Sequence, residues 1–75
     1  MRKSNSERCR VVLGNIAKAQ VESGVTDDLI AIRLGMSIRT YQRRKKNPEL
    51  FTLSELLDIG SATKKEVKDL VGDLL

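Results

Sequence analysis

The chain has 75 residues, which makes one domain near the lower size limit at which a hydrophobic core holds a fold unaided. Its two aromatic residues, Tyr41 and Phe51, leave the core to Leu, Ile, Val and Ala, which suits packed helices and argues against a β-sandwich. Net charge is +4, with one cysteine and no histidine, so an internal disulfide is excluded and a zinc set of Cys and His has no basis.

Charge distribution is more informative than its sum. Residues 33–46 hold six basic side chains and no acid, whereas the rest of the chain holds eight basic and ten acidic residues. A positive field concentrated in one segment is the electrostatic footprint of a nucleic-acid binder. No apolar run reaches membrane-spanning length, and residues 1–10 lack the apolar stretch of a secretory signal. The expectation is a cytoplasmic protein in a reducing compartment, with Cys9 serving as a small buried hydrophobe.

Residues 1–5 read as a flexible basic arm carrying Arg2 and Lys3, and residues 6–75 as a single domain. Ser6 or Ser4 caps the first helix. Along it Cys9, Val12, Leu13, Ile16 and Gln20 recur at helical spacing, leaving Arg8, Asn15, Lys18 and Glu22 toward water. Gly14 in mid-helix costs about 1 kcal/mol against alanine; a close helix crossing and plain chance both account for it. Gly24 ends the helix in a left-handed conformation.

Thr26 caps a second helix, and Asp27 and Asp28 place negative charge in its first turn, where the helix dipole favours it. Ile30, Ala31 and Leu34 form its buried stripe. Gly35 reverses the chain, Met36 turns inward, and Ser37 caps a third helix that runs to about Lys46 and stops before Asn47-Pro48. Thr52 and Glu55 form a capping box for a fourth helix whose apolar residues are Leu53, Leu56, Leu57 and Ile59, and Gly60 closes it. Thr63 with Glu66 repeats the box for a fifth helix, where Val67, Leu70, Val71 and Leu74 make one stripe opposite Lys64, Lys65, Lys68 and Asp69. No strand signal interrupts the five short helices.

The second and third helices form a helix-turn-helix unit. Close crossing needs a small residue at the contact, supplied by Ala31, and the turn four residues later needs a positive φ, supplied by Gly35. Ile30, Leu34, Met36 and Tyr41 hold the apolar positions that lock the pair. This run, Thr26, Ile30-Ala31 and Leu34-Gly35-Met36-Ser37, resembles that of the lambda-repressor-like family of phage Cro proteins and repressor DNA-binding domains. Gly24-Val25, Asn47-Pro48, Leu50 and Leu53 also fit that layout, so the resemblance covers roughly residues 7 to 75. It implies a compact all-α, five-helix domain that binds operator DNA, usually as a dimer. Two positions depart from the family. Asp27 stands where members commonly carry a glutamine that touches phosphate, so that contact is not carried over. Arg44 and Lys45 stand where an apolar residue and a glutamate are usual.

Carried onto this chain, the resemblance assigns DNA base contacts to Ser37, Ile38, Arg39, Gln42 and Arg43. Arg39 and Arg43 lie four apart and share a helix face, with planar forks suited to guanine O6 and N7, and Gln42 suits adenine. For Ile38, contact with a thymine methyl and packing at the helix start both stand open. Arg44, Lys45 and Lys46, late in the helix, are expected at phosphates. Thr40 either adds a hydroxyl there or faces the second helix. Tyr41 belongs to the core.

The resulting expectation is a sequence-specific double-stranded DNA-binding transcriptional regulator of phage or prophage Cro/repressor type, with its third helix in the major groove. A homodimer would set two such helices roughly 34 Å apart on a near-palindromic operator. Val71, Leu74 and Leu75 of the fifth helix and chain end supply either that dimer contact or cover for the monomer core. Two alternatives are a helix-turn-helix protein-interaction module of antirepressor or adaptor kind, favoured by Asp27, and a nonspecific nucleic-acid binder. An enzyme is not expected: the sequence has no metal set, no phosphate-cradling glycine loop and no nucleophile beside a base. Nor is a cofactor, a small-molecule substrate or a membrane partner.

Overall fold

Every helix start in the middle of this chain is fixed by a hydroxyl. In the computed structural model, which describes residues 5–72, Thr26 Oγ1 accepts from the Leu29 amide and Ser37 Oγ from the Thr40 amide at 3.1 Å. Thr52 and Glu55 make the full reciprocal box, with the Glu55 amide donating to Thr52 Oγ1 at 3.0 Å and the Thr52 amide to Glu55 Oε1 at 2.9 Å. These caps satisfy amides that a helix leaves without partners. The elements are α1 (Asn5–Ser23), α2 (Asp27–Leu34), α3 (Ile38–Lys46), α4 (Leu53–Thr63) and α5 (Val67–Val71), with a 3₁₀ turn at Pro48–Leu50 between α3 and α4. Gly24 and Gly35 both take positive φ, +70° and +71°, at the ends of α1 and α2. The all-α, five-helix expectation holds, and the described residues contain no strand.

The core is formed by Val12, Ile16 and Ala19 of α1, Ile30 and Ala31 of α2, Tyr41 of α3, Ile59 of α4, and Leu70 and Val71 of α5, closed by Phe51. Helix α1 packs against α3, α4 and α5, while α2 packs against α3 and α4. Ala31, at 2% exposure, is buried in this core. No helix among the described residues is long and apolar enough to cross a membrane.

Several expectations need correction. Asn5 and Ser6 already lie inside α1, so Ser6 is not its cap; Ser4 and the rest of residues 1–4 lie outside the described residues. Asn15 does not face water: its Nδ2 donates to the Leu70 carbonyl at 3.0 Å, tying α1 to α5. Cys9 is only half-buried, with its Sγ 3.5 Å from Glu49 Oε2. A Cβ at Gly14 would meet nothing within 4 Å, so no helix crosses there.

The α4–α5 junction differs most. Gly60 does not close α4 but lies inside it, and the position takes glycine because a Cβ there would sit 2.5 Å from the Lys65 carbonyl oxygen. The helix continues to Thr63, whose hydroxyl donates to the Ile59 carbonyl at 2.8 Å and is buried in the core, so it cannot cap α5. Lys64 then turns the chain with φ +60°, and Glu66 caps α5, its amide held by Asp69 Oδ2 at 2.9 Å. Val71 is 9% exposed and belongs to the monomer core. Leu74 and Leu75, the other residues of the expected dimer contact, lie outside the described residues.

Candidate nucleic-acid interface

The turn at Gly35 and the cap at Ser37 leave α3 lying across the fold with two different sides. Ser37, Ile38, Arg39, Gln42, Arg43 and Lys46 are exposed. Residues 38, 39, 42, 43 and 46 follow helical spacing, so they form one outward face. Thr40 is half-buried and accepts from the Ser37 hydroxyl at 2.9 Å. Tyr41 is fully buried, and Arg44 and Lys45 are half-buried on the inner side.

The inner side is held by a closed polar ring across three helices. Tyr41 donates from its hydroxyl to Gln20 Oε1 at 2.7 Å. Gln20 Nε2 donates to Asp27 Oδ1 at 2.9 Å and to the Val25 carbonyl at 3.1 Å. Lys45 Nζ reaches the same Asp27 oxygen at 2.7 Å and lies 5.3 Å from the centre of the Tyr41 ring, which completes the circuit with a cation–π contact. Gln20 sits on a face of α1 that otherwise buries Ile16 and Ala19, so its amide would be costly there without these partners.

Asp27 is the hub. Its second oxygen accepts from Gln42 Nε2 at 3.2 Å. Partial burial pushes the Asp27 carboxyl upward, but hydrogen bonds from Lys45, Gln20 and Gln42 outweigh it and hold the group below the ordinary aspartate range. Burial, and then the Asp27 charge, push the Tyr41 phenol above its ordinary range. Arg44 is bound in turn by α4: its Nη1 lies 2.7 Å from both carboxylate oxygens of Glu55, the residue that also caps that helix.

This changes the charge map of the segment. Lys45 and Arg44 are neutralised inside the domain by Asp27 and Glu55, and Arg33 turns toward α4 to donate to Ser61 Oγ at 2.9 Å. Among the described residues, Arg39, Arg43 and Lys46 have no acidic partner. Of the nine residues expected to touch DNA, the outward face therefore gathers Ile38, Arg39, Gln42, Arg43 and Lys46, with Ser37 at its start. Thr40, Arg44 and Lys45 are engaged by the protein itself. Gln42 gives one N–H to Asp27 and keeps its carbonyl and second N–H, the acceptor and donor an adenine edge takes.

Sequence reasoning did not find Gln20, Asp27 and Glu55 as the residues that set this face. Gln20 carried a signal, being a polar residue at a core-facing helical position. Asp27 and Glu55 were each explained by local helix-start chemistry, which hid their longer-range partners. Comparison with protein-family models, with curated proteins and with solved structures finds no match to this chain.

Proposed function

We propose that this chain is a sequence-specific double-stranded DNA-binding transcriptional regulator of phage or prophage Cro/repressor type, acting in the bacterial cytoplasm on a near-palindromic operator. The observation that carries this reading is the face of α3. Its guanidinium and ammonium groups at Arg39, Arg43 and Lys46 have no acidic partner among the described residues, while the inner basic residues are spent on ion pairs. A helix with that division of charge lies in the major groove with Arg39, Gln42 and Arg43 at base edges, Ser37 and Ile38 at its leading end, and Lys46 at a phosphate. Arg44 and Lys45 act in this reading as positioning residues that fix the angle of α3, and Thr40 stiffens its first turn.

The adaptor reading drew its support from Asp27, an acidic residue at the start of α2. Its engagement by Gln20, Gln42 and Lys45 gives it a role within the fold, which leaves that alternative without a residue of its own. Duplex selection from a random pool, followed by titration of the selected and a scrambled duplex at two salt concentrations, tests the proposal. Arg43→Ala should lose about 1–3 kcal/mol on the selected duplex and much less on the scrambled one. Lys46→Ala should weaken both alike and flatten the salt dependence. Equal affinity of the parent chain for all duplexes would reduce it to a nonspecific binder, and absence of binding to any duplex would overturn the reading.

A further inference from the structure

The Asp27 carboxylate works in two directions. Its Oδ1 accepts from Lys45 Nζ at 2.7 Å and from the buried Gln20 Nε2 at 2.9 Å. Its Oδ2 accepts from Gln42 Nε2 at 3.2 Å, on the exposed side of α3. Two contacts on one oxygen, beside the N-cap at Thr26, fix the plane of the carboxylate and with it the place of the other oxygen. The direction of the Gln42 amide then follows from elementary chemistry. A side-chain amide has an accepting end and a donating end, and rotation about its last torsion exchanges them. An ionised carboxylate only accepts, so it holds the NH2 end and repels the carbonyl.

We infer that Asp27 is a positioning residue that sets specificity: it gives the Gln42 amide a fixed direction, so that one base pair is read as adenine on a single strand. This rests on the reading of α3 as a DNA-recognition helix. With its Nε2 end anchored, Gln42 presents Oε1 and one remaining N–H in a fixed order. Across the major groove an A·T pair shows the N7 acceptor, the N6 amino donor and thymine O4 in that order, and T·A shows them reversed. An amide free to turn over follows either order. An anchored one follows a single order and separates A·T from T·A. Arg39 and Arg43 have no acidic partner among the described residues, so the constraint is confined to the base pair that Gln42 meets.

Titration of base-substituted duplexes, with NMR of the free chain, tests this. The base pair read by Gln42 is the one whose preference disappears in Gln42→Ala. There the parent should favour adenine on one strand over adenine on the other by about tenfold or more. Asp27→Asn has the same size and offers either end of an amide to Gln42, so the ratio should fall below about threefold. Preferences at the Arg39 and Arg43 base pairs should not move. A Lys45 set free by that variant meets phosphate, which is alike in every duplex and cancels from the ratio. Lys45→Met opens the ring but leaves the Gln42 contact, and should keep the parent's ratio. Without DNA, one proton of the Gln42 side-chain amide should resonate downfield in the parent and return to its ordinary position in Asp27→Asn. An ordinary Gln42 amide in the parent overturns the inference whether or not the chain binds DNA. A ratio unchanged in Asp27→Asn overturns it while the DNA reading stands, and a parent without preference at any base pair overturns both.

Discussion

Lys45 places its ammonium 2.7 Å from the Asp27 carboxylate while lying over the ring of Tyr41, so a residue of the basic helix is bound to the fold by two different attractions at once. The pair withholds one positive charge from whatever α3 meets. Asp27→Asn should release it. In duplex titrations this variant is expected to bind several-fold more tightly than the parent, and its log K against log salt should steepen by about 0.9, one added phosphate contact. Unchanged affinity and slope would show that Lys45 remains committed to the Tyr41 ring.

Asp27 also makes stability depend on pH, with a definite sign. Its folded pKa is held down by Lys45, Gln20 and Gln42 against the upward push of burial. It therefore stabilises the fold fully above the ordinary aspartate value of about 3.9, and that contribution fades as pH falls through the lower folded value. Thermal midpoints measured between pH 6 and about pH 2.5 should fall on acidification, and the fall should be shallower in Asp27→Asn.

Two glycines inside helices should respond to alanine with opposite signs. Gly14→Ala adds a methyl into open space and removes a flexible residue from the middle of α1, so it should stabilise by about 0.5–1 kcal/mol. Gly60→Ala drives a Cβ to within 2.5 Å of the Lys65 carbonyl, which is backbone and cannot rotate away, and should cost about 2 kcal/mol or more. Urea denaturation of the two variants beside the parent measures both.

Arg44 tests the division of α3 into an outer and an inner side. Arg44→Ala breaks the contact with Glu55, whose partner side chains are only 31% and 19% exposed, and should lower stability by about 1–2 kcal/mol. Below its melting temperature the variant should keep the parent's salt slope in duplex titrations. A flattened slope would place Arg44 on the phosphate backbone instead.

These variants mark where sequence reasoning reached its limit. Helix starts at Thr26, Ser37 and Thr52 were legible because a cap is a contact between near neighbours, written within four residues. The turn at Gly35 was legible for the same reason. Gly60 and Thr63 were misplaced because their local spacing imitates a helix end and a new cap. What decides them is the approach of the Lys65 carbonyl and the burial of the Thr63 hydroxyl, both properties of the assembled fold. At the candidate interface, periodicity separated Tyr41 from Arg39 and Arg43. It could not show that Arg44 and Lys45 are engaged, because their partners lie 11 and 18 residues away on other helices.

The ring through Gln20 has a consequence for how this sequence can change over time. Gln20 uses both ends of one amide, accepting from Tyr41 and donating to Asp27, so neither end can be exchanged without leaving the other group stranded. Positions 20, 27, 41 and 45 therefore form an inherited set. A lineage that replaces one must pass through a weakened intermediate or replace its neighbours too, while Arg39, Arg43 and Lys46 on the outer face are free to drift toward a new target without disturbing the scaffold beneath them.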